Sequence, residues 1–441
     1  MVHYYFPRKC RAIKLMKEKV TTRNPWAWIP SLYFAEGMPY VIVMTVSVIM
    51  YKNLGMSNAD IALYTSWLYL PWVIKPFWSP FVDLIKTKRL WIVAMQFIIG
   101  VALAGVAFTI HADSYVQYTL AFFWLLAFSS ATHDIAADGF YMLGLSKSDQ
   151  AFFIGIRSTF YRFAMLAGQG LFVIIAGYFE DIYSVKTAWM IVMVILAVLF
   201  VGFSLYHKFV FPYPLTDKQR DKWDSRKFIN DFFLSIAKFF QKREILIILG
   251  FLLFYRLGES QLVKIAAPFL LDLKKAGGLA LSTTEVGVIY GTVGVIALVI
   301  GGILGGVLAS RYGLKKCIWW MLIAINVPNV VYVYLSAVQP DSFVLISSLI
   351  AIEQFGYGFG FTAYMLYMIM ISEGEYKTAH YAIATGIMAF GMMIPGMFSG
   401  RIQEAVGYQS FFIWVLISTI PAFLITIFIK INSDFGKKNN G

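Results

Sequence analysis

Charge is what this sequence has least of. Charged side chains make up 14% of its 441 residues, against about 25% in ordinary soluble domains, which excludes a fold that hides its apolar surface in water. Cysteine is scarcer still: Cys10 and Cys317 are the only two, both fall in predicted cytoplasmic segments, and neither sits in a metal-ligand spacing, so no disulfide and no metal site is implied. The first 25 residues are basic and lack a short apolar core followed by small residues, which predicts no removable signal peptide. A phosphate-cradling Gly-x-x-x-x-Gly-Lys-Ser/Thr run is missing as well, which excludes a Walker-type nucleotide engine.

What fills the chain instead is hydrophobe, at 59%. Apolar runs long enough to cross a hydrocarbon core of roughly 30 Å recur at 26–51, 59–82, 89–111, 115–141, 151–180 and 186–207, and again at 245–272, 283–309, 314–337, 341–372, 377–404 and 408–431. They are too long and too uniformly apolar for barrel strands, which alternate over about ten residues. Lipid tolerates no unpaired backbone, so helices remain. The pattern predicts an all-α integral membrane protein of twelve transmembrane helices in two pseudo-symmetric six-helix bundles.

A net charge of +13 invites a nucleic-acid partner, but its placement points elsewhere. With the N-terminus set inside, 27 of the 37 Lys and Arg fall in the inner loops and tails, seven of them before the first span and nine in the central loop. This is the positive-inside bias of a chain with both termini cytoplasmic. Anionic lipid is attraction enough for such loops, and no nucleic acid is implied. The expected divisions are a cytoplasmic segment 1–25, a bundle 26–207, a cytoplasmic linker 208–244, a second bundle 245–431 and a cytoplasmic tail 432–441. Within the linker, Phe228, Phe232, Ile236 and Phe239 recur at helical spacing while Lys227, Asp231, Lys238 and Lys242 lie mostly elsewhere. That predicts an amphipathic helix lying on the inner leaflet.

The halves repeat each other weakly. FAEGMP around Gly37 pairs with YRLGES around Gly258, HDIAADGF from His133 with EQFGYGFG from Glu353, and SPFVDLIKTKR with GVLASRYGLKK, all at offsets near half the chain. Two six-helix halves, a long basic central loop and an acidic-plus-basic motif after the second and eighth spans resemble the major facilitator superfamily. Its signature there is Gly-x-x-x-Asp-Arg/Lys-x-Gly-Arg/Lys-Arg/Lys. The first copy keeps Asp83 and Arg89 but has Ser79, Leu84 and Thr87 at other signature positions; the second keeps Gly306, Arg311, Gly313 and Lys315, with Ser310 in place of Asp. The resemblance implies a gating role for Asp83, Arg89, Arg311 and Gly313. LYFAEGMPY at 32–40, LPWVIKPFWSPFVD at 70–83 and SSATHDIAADGFY at 129–141 are similar to the branch that holds AmpG-type muropeptide permeases and eukaryotic acetyl-CoA transporters, although that branch usually has Gln where His133 stands. It implies proton-linked solute transport.

Charges buried in lipid narrow the candidates, because each costs about 3–17 kcal/mol unless paired or used. By the rise of about 1.5 Å per residue, Asp134 and Asp138 on the fourth span and Arg157 and Arg162 on the fifth occupy one slab, roughly 6–16 Å from the inner ends. Asp134 and Asp138 share a helix face. Protonating an Asp there would release an Arg for an anionic solute group; the alternative is a permanent ion-pair network. His133 adds a titratable neighbour, or is a hydrogen-bonded helix residue. Glu36 and Arg256 lie roughly 15 and 16 Å into the first and seventh spans, and Arg256 either faces the cavity or pairs with Glu259. Glu353, Gln354 and Lys75 are further polar residues at depth, and Trp67, Tyr69, Tyr161 and Tyr364 offer faces on which sugar rings stack. The proton-coupling candidates are thus Asp134, Asp138, His133 and Glu36. The solute-binding candidates are Arg162, Arg157, Tyr161, Arg256, Glu259, Glu353, Gln354, Lys75 and Trp67.

Glycines at helix-packing spacing, in GGILGG at 301–306 and at Gly168, Gly170, Gly386, Gly391, Gly396 and Gly400, predict close helix approach. Taken together the residues predict a monomeric secondary transporter without cofactor, and the resemblance implies a bacterial inner membrane and a muropeptide or amino-sugar saccharide moved with protons. A large organic anion such as acetyl-CoA is the alternative solute. A membrane transferase or a solute sensor is the alternative class.

Overall fold

The computed structural model describes residues 23–214, 217, 225–432 and 435–437. Most of the predicted segment 1–25, most of the linker before Ser225 and most of the tail 432–441 therefore lie outside the described residues. Among the described residues ten helices are long and apolar enough to cross a membrane, and two local breaks raise that to the twelve crossings expected. The second crossing is split into two limbs, Asn58–Trp67 and Leu70–Leu84, with Pro71 at the start of the second limb, where a missing N–H costs nothing. The run Lys377–Phe428 folds back at Gly407, whose φ of 77° is open to glycine.

Numbered in chain order, α1 is Pro25–Asn53, α2 the two limbs just given, α3 Lys88–Thr109, α4 Tyr115–Gly144, α5 Lys147–Leu166 continuing through Phe172–Glu180, and α6 Val185–Val210. The linker helix α7, Ser225–Phe240, follows. The second half is α8 Ile245–Leu271, α9 Thr283–Tyr312, α10 Leu314–Val338, α11 Phe343–Ser372, α12 at 377–406 and α13 at 408–428. No strand occurs among the described residues.

Within the first half α3 packs between α4 and α6, and α1 lies along α5; within the second, α11 lies against α9 and α10. Besides a lighter contact of α2 with α8, three pairings form the seam between halves: α1 with α8, α2 with α12, and α5 with α9. Glycine makes the last two possible. A Cβ on Gly291 would stand 1.9 Å from the carbonyl oxygen of Gln169, and one on Gly400 2.0 Å from that of Asn58. The GGILGG motif divides its labour. Gly301 and Gly305 press α9 onto the α11 backbone at Phe355 and Phe359, whereas Gly302 faces Arg162 and Gly306 meets nothing.

Three seam helices widen into π turns, at Ile42–Val46, Ala167–Leu171 and Gly287–Gly294, a form that clusters at functional sites. The sequence predicts irregular backbone beside Glu36. The structure shows it a turn later, because Pro39 removes a donor from α1, and again in α8, where Arg256 leaves helical geometry at φ −113°, ψ 21°.

The linker carries the helix Ser225–Phe240, which packs on protein as well as facing outward. Phe239 is buried against His380 of α12, whose Nε2 meets the Ser235 carbonyl oxygen at 3.2 Å, and Phe232 packs edge-on against Phe77 of α2. The helix therefore straps the two halves together, keeping Phe233 and Phe240 exposed. The side chains of Phe228, Lys227 and Asp231 lie outside the described residues.

Candidate functional site

The side chains that the sequence analysis drew from four helices meet in one place. A cavity of about 710 Å³ opens between the halves, lined by Glu36 of α1, Asp134 of α4, Arg157, Tyr161 and Arg162 of α5, and Arg256 of α8, with Tyr357 and Phe361 of α11 opposite. It narrows into an extension of about 80 Å³ lined by Tyr69, Gln169, Glu259, Val263, Tyr290 and Gln354. The cavity belongs to the half of the molecule nearer the chain termini, here the terminal face. The other end is the far face.

Two ion pairs at the cavity are internal to the first half. Asp134 accepts from Lys75 Nζ at 3.4 Å and from Trp72 Nε1 at 3.2 Å. Arg157 reaches Asp138 at 2.6 Å and lies over the Tyr33 ring at 4.3 Å. This corrects the expected partnership: Asp134 holds a lysine, not an arginine, because Lys75 and Trp72 are i and i+3 on α2 and reach it together. Arg162 turns to the second half instead, and its Nη1 donates to the Val299 carbonyl oxygen at 3.3 Å.

On the opposite wall, Arg256 donates to the Tyr357 hydroxyl at 2.6 Å and sits 4.9 Å from the centre of the Phe361 ring. It forms no ion pair with Glu259. The Oε2 atoms of Glu36 and Glu259 are buried with no hydrogen-bond partner. Subtracting the paired charges, the cavity and its extension present two guanidinium groups, Arg162 and Arg256, and two carboxyl groups, Glu36 and Glu259, none neutralised by a direct ion pair. Unmet buried polar groups are costly, and a polar solute that supplies the missing partners recovers that cost.

Other predicted residues lie apart from this cavity. His133 is buried behind it, 3.0 Å from Gln96 Nε2, and Gln96 Oε1 is 2.8 Å from His207, which reaches Ser31 at 2.9 Å. The adjacent Asp134 faces the cavity because neighbours on a helix point about 100° apart. Glu353 is buried, accepting from Gln354 Nε2 at 2.9 Å and facing the Tyr332 hydroxyl. Trp67 is 43% exposed at the break in α2. Tyr364 donates to the Leu252 carbonyl oxygen inside the second half. Of the motif residues, Arg89 donates to the Lys208 carbonyl oxygen and covers the Tyr213 ring at 4.0 Å, tying the start of the linker to α3. Arg311 is exposed, and Gly313 turns the chain into α10 at φ 83°. The side chain of Asp83 lies outside the described residues.

Tyr33, Tyr40, Trp72 and Tyr357 line the cavity and were not foreseen. Periodicity carried the signal, since Tyr33 and Tyr40 stand three before and four after Glu36, and Tyr357 stands three after Gln354.

The far face is sealed. Lys52 of α1 meets Asp272 of α8 at 2.7 Å, and Tyr408 donates to the same carboxylate at 2.5 Å. Asn58 of α2 donates to Gln403 and to Tyr408, at 2.7 and 2.8 Å. Asn53 and Thr283 both donate to Glu180, at 2.7 and 2.5 Å.

Comparison with known proteins agrees with this architecture. A sequence model described as Major Facilitator Superfamily matches residues 31–368. A putative transporter AmpG 4 of Rickettsia conorii is 25% identical over 412 residues, covering 90% of this chain and 95% of its own. The anhydromuropeptide permease of Escherichia coli K12 is 22% identical over 424 residues, covering 93% and 80%. The crystal structure of the nucleoside transporter NupG superposes with a TM-score of 0.65 at 18% identity, over 92% of this chain and 98% of that one.

Proposed function

This chain belongs to the Major Facilitator Superfamily, and from that premise we propose that it is a proton-coupled permease for muropeptides or kindred amino-sugar saccharides, working by alternating access. It is an integral membrane transporter of a small solute, not an enzyme. The observation that carries the reading is the single cavity in which Glu36, Asp134, Arg162 and Arg256 converge from both halves. Its volume falls in the range of ligand pockets, roughly 300–1,000 Å³.

The chemistry suits a muropeptide. Its peptide stem carries carboxylates for Arg162 and Arg256, and its sugar rings have apolar faces for Tyr161, Tyr357 and Phe361. The relatives' names favour this solute over a large organic anion. Proton coupling fits Asp134 and Glu36. Protonating Asp134 weakens its hold on Lys75, and Glu36 is a buried carboxyl without a partner, so each has a protonation state that the solute and the two conformations read differently. Arg157 and Asp138 shape the terminal mouth, His133 braces α4 from behind, and Gln354 and Glu259 line the narrow end. The positive-inside bias favours a cytoplasmic terminal face, and with that orientation the state described here is open inward. A monomer suffices, because the cavity is complete within one chain.

Proteoliposomes loaded with a pH gradient test this. Anhydromuropeptide accumulation driven by the gradient should vanish in Asp134→Asn while solute exchange without a gradient persists. Arg256→Gln should weaken exchange about 10- to 100-fold, the worth of a charged hydrogen bond of roughly 1.5–3 kcal/mol. Accumulation unaffected by Asp134→Asn would remove Asp134 from the coupling.

A further inference from the structure

Five Lys and Arg residues lie well inside the predicted spans, away from their ends: Lys75, Arg157, Arg162, Arg256 and Lys264. The first four line the cavity or hold a carboxylate beside it. Lys264 does neither. It is fully buried on α8, in the far half of the seam, roughly 12 Å along the helix from Arg256. Its ammonium donates to the Thr65 hydroxyl of α2 at 3.0 Å and lies 5.1 Å from the centre of the Tyr69 ring. No described carboxylate forms an ion pair with it.

A sealed ammonium in a membrane, with one hydroxyl and one ring face for company, is costly to keep. If bridging α2 to α8 were its whole purpose, an uncharged Gln or Met would serve at less cost. Position supplies a better reason. Its contacts with Thr65 and Tyr69 are made across the seam, while Gly396 of α12 packs on its aliphatic stem from the same half, and all lie beneath the far-face zipper of Lys52, Asp272 and Asn58. Parting the far face therefore separates Lys264 from Thr65 and bares it to the space that opens. Tyr69 is the shared wall, because one surface of that ring lines the narrow end of the cavity and Lys264 sits against the same side chain. Val263, its neighbour, lines the narrow end too.

We propose that Lys264 is an anion-binding residue of the far-open state, which takes a carboxylate of the incoming solute and yields it to Arg256 as the far face closes. The proposal rests on the transporter reading above and adds to it the first contact on the far side and the charge of the group contacted. The closed state then has a physical use for Thr65 and Tyr69: they replace the solute carboxylate when the site is empty, and loosely enough to be displaced.

The test replaces Lys264 by Cys in a chain carrying Cys10→Ser and Cys317→Ala, in right-side-out vesicles. Membrane-impermeant methanethiosulfonates added from the far side should label it under a pH gradient alone, with no solute present. Uptake by the unlabelled variant should show a KM raised about tenfold. The aminoethyl reagent, which restores a cation, should bring KM back, and the neutral methyl and anionic sulfonatoethyl reagents should not. Lys264→Arg should retain a KM within about threefold of wild type. Labelling that never occurs from the far side, or a KM indifferent to the charge restored, overturns the proposal. Because the labelling arm uses no solute, it stands or falls separately from the identity of the solute: labelling with no muropeptide uptake in the parent chain would refute the solute, not the exposure of Lys264.

Discussion

The two ends of the seam are built from different chemistry. At the far face the halves meet through short, directional contacts: Lys52 with Asp272, Asn58 with Gln403, Asn53 and Thr283 on Glu180, with backbones brought together at Gly291 and Gly400. At the terminal face they are held apart by the cavity and joined by the aromatic strap of α7, Phe232 on one half and Phe239 on the other. Polar contacts of about 1 kcal/mol each break singly and are replaced by water, whereas a strap can remain attached while the halves rock. The far end is therefore a latch and the terminal end a hinged mouth.

Substitutions at the two ends should separate these roles. Gly400→Val places methyl groups where Asn58's carbonyl oxygen stands, so the far face cannot close. Solute uptake should fall about 10- to 100-fold, the scale of a packing strain of roughly 1–3 kcal/mol acting on one state. Asp272→Asn removes the charge from the latch but keeps its shape. The far-open population should rise about fivefold, equivalent to about 1 kcal/mol for a partly exposed pair, and labelling of a far-face cysteine should quicken accordingly. Phe232→Ala trims the strap at the other end. It should lower the melting temperature by a few degrees, for about 1 kcal/mol, with uptake within about twofold of wild type. An effect on uptake larger than that of Gly400→Val would reverse the assignment of latch and strap.

Much of this was legible in the sequence because membranes impose periodicity and length. The twelve crossings follow from apolar run length, and Gly400 at the seam from glycine spacing, whereas Gly291 was not singled out. The same arithmetic of depth put Asp134, Asp138, Arg157 and Arg162 in one slab, with Glu36 and Arg256 at similar depth in their own helices. Partner choice was not legible. Depth along a helix says which side chains share a level but not which way each helix is turned, so Lys75 rather than an arginine took Asp134, and His133 went to Gln96. Lys264 escaped notice for a related reason: its neighbours Thr65 and Tyr69 belong to the other half, nearly 200 residues away in sequence, and no local pattern announces such a contact. The strap was half visible, since its amphipathic face could be read but not the protein surfaces that would cover it.

Alternating access requires the latch to open as the mouth closes. Pulsed electron-spin distance measurements between labels at Tyr183→Cys and Leu273→Cys report the far face, and labels at Met142→Cys and Tyr312→Cys the terminal face, all four positions being exposed. On adding anhydromuropeptide at low pH, the far-face distance should lengthen in a part of the population and the terminal-face distance shorten in the same part. Two distances that stay fixed, or that lengthen together, would contradict it.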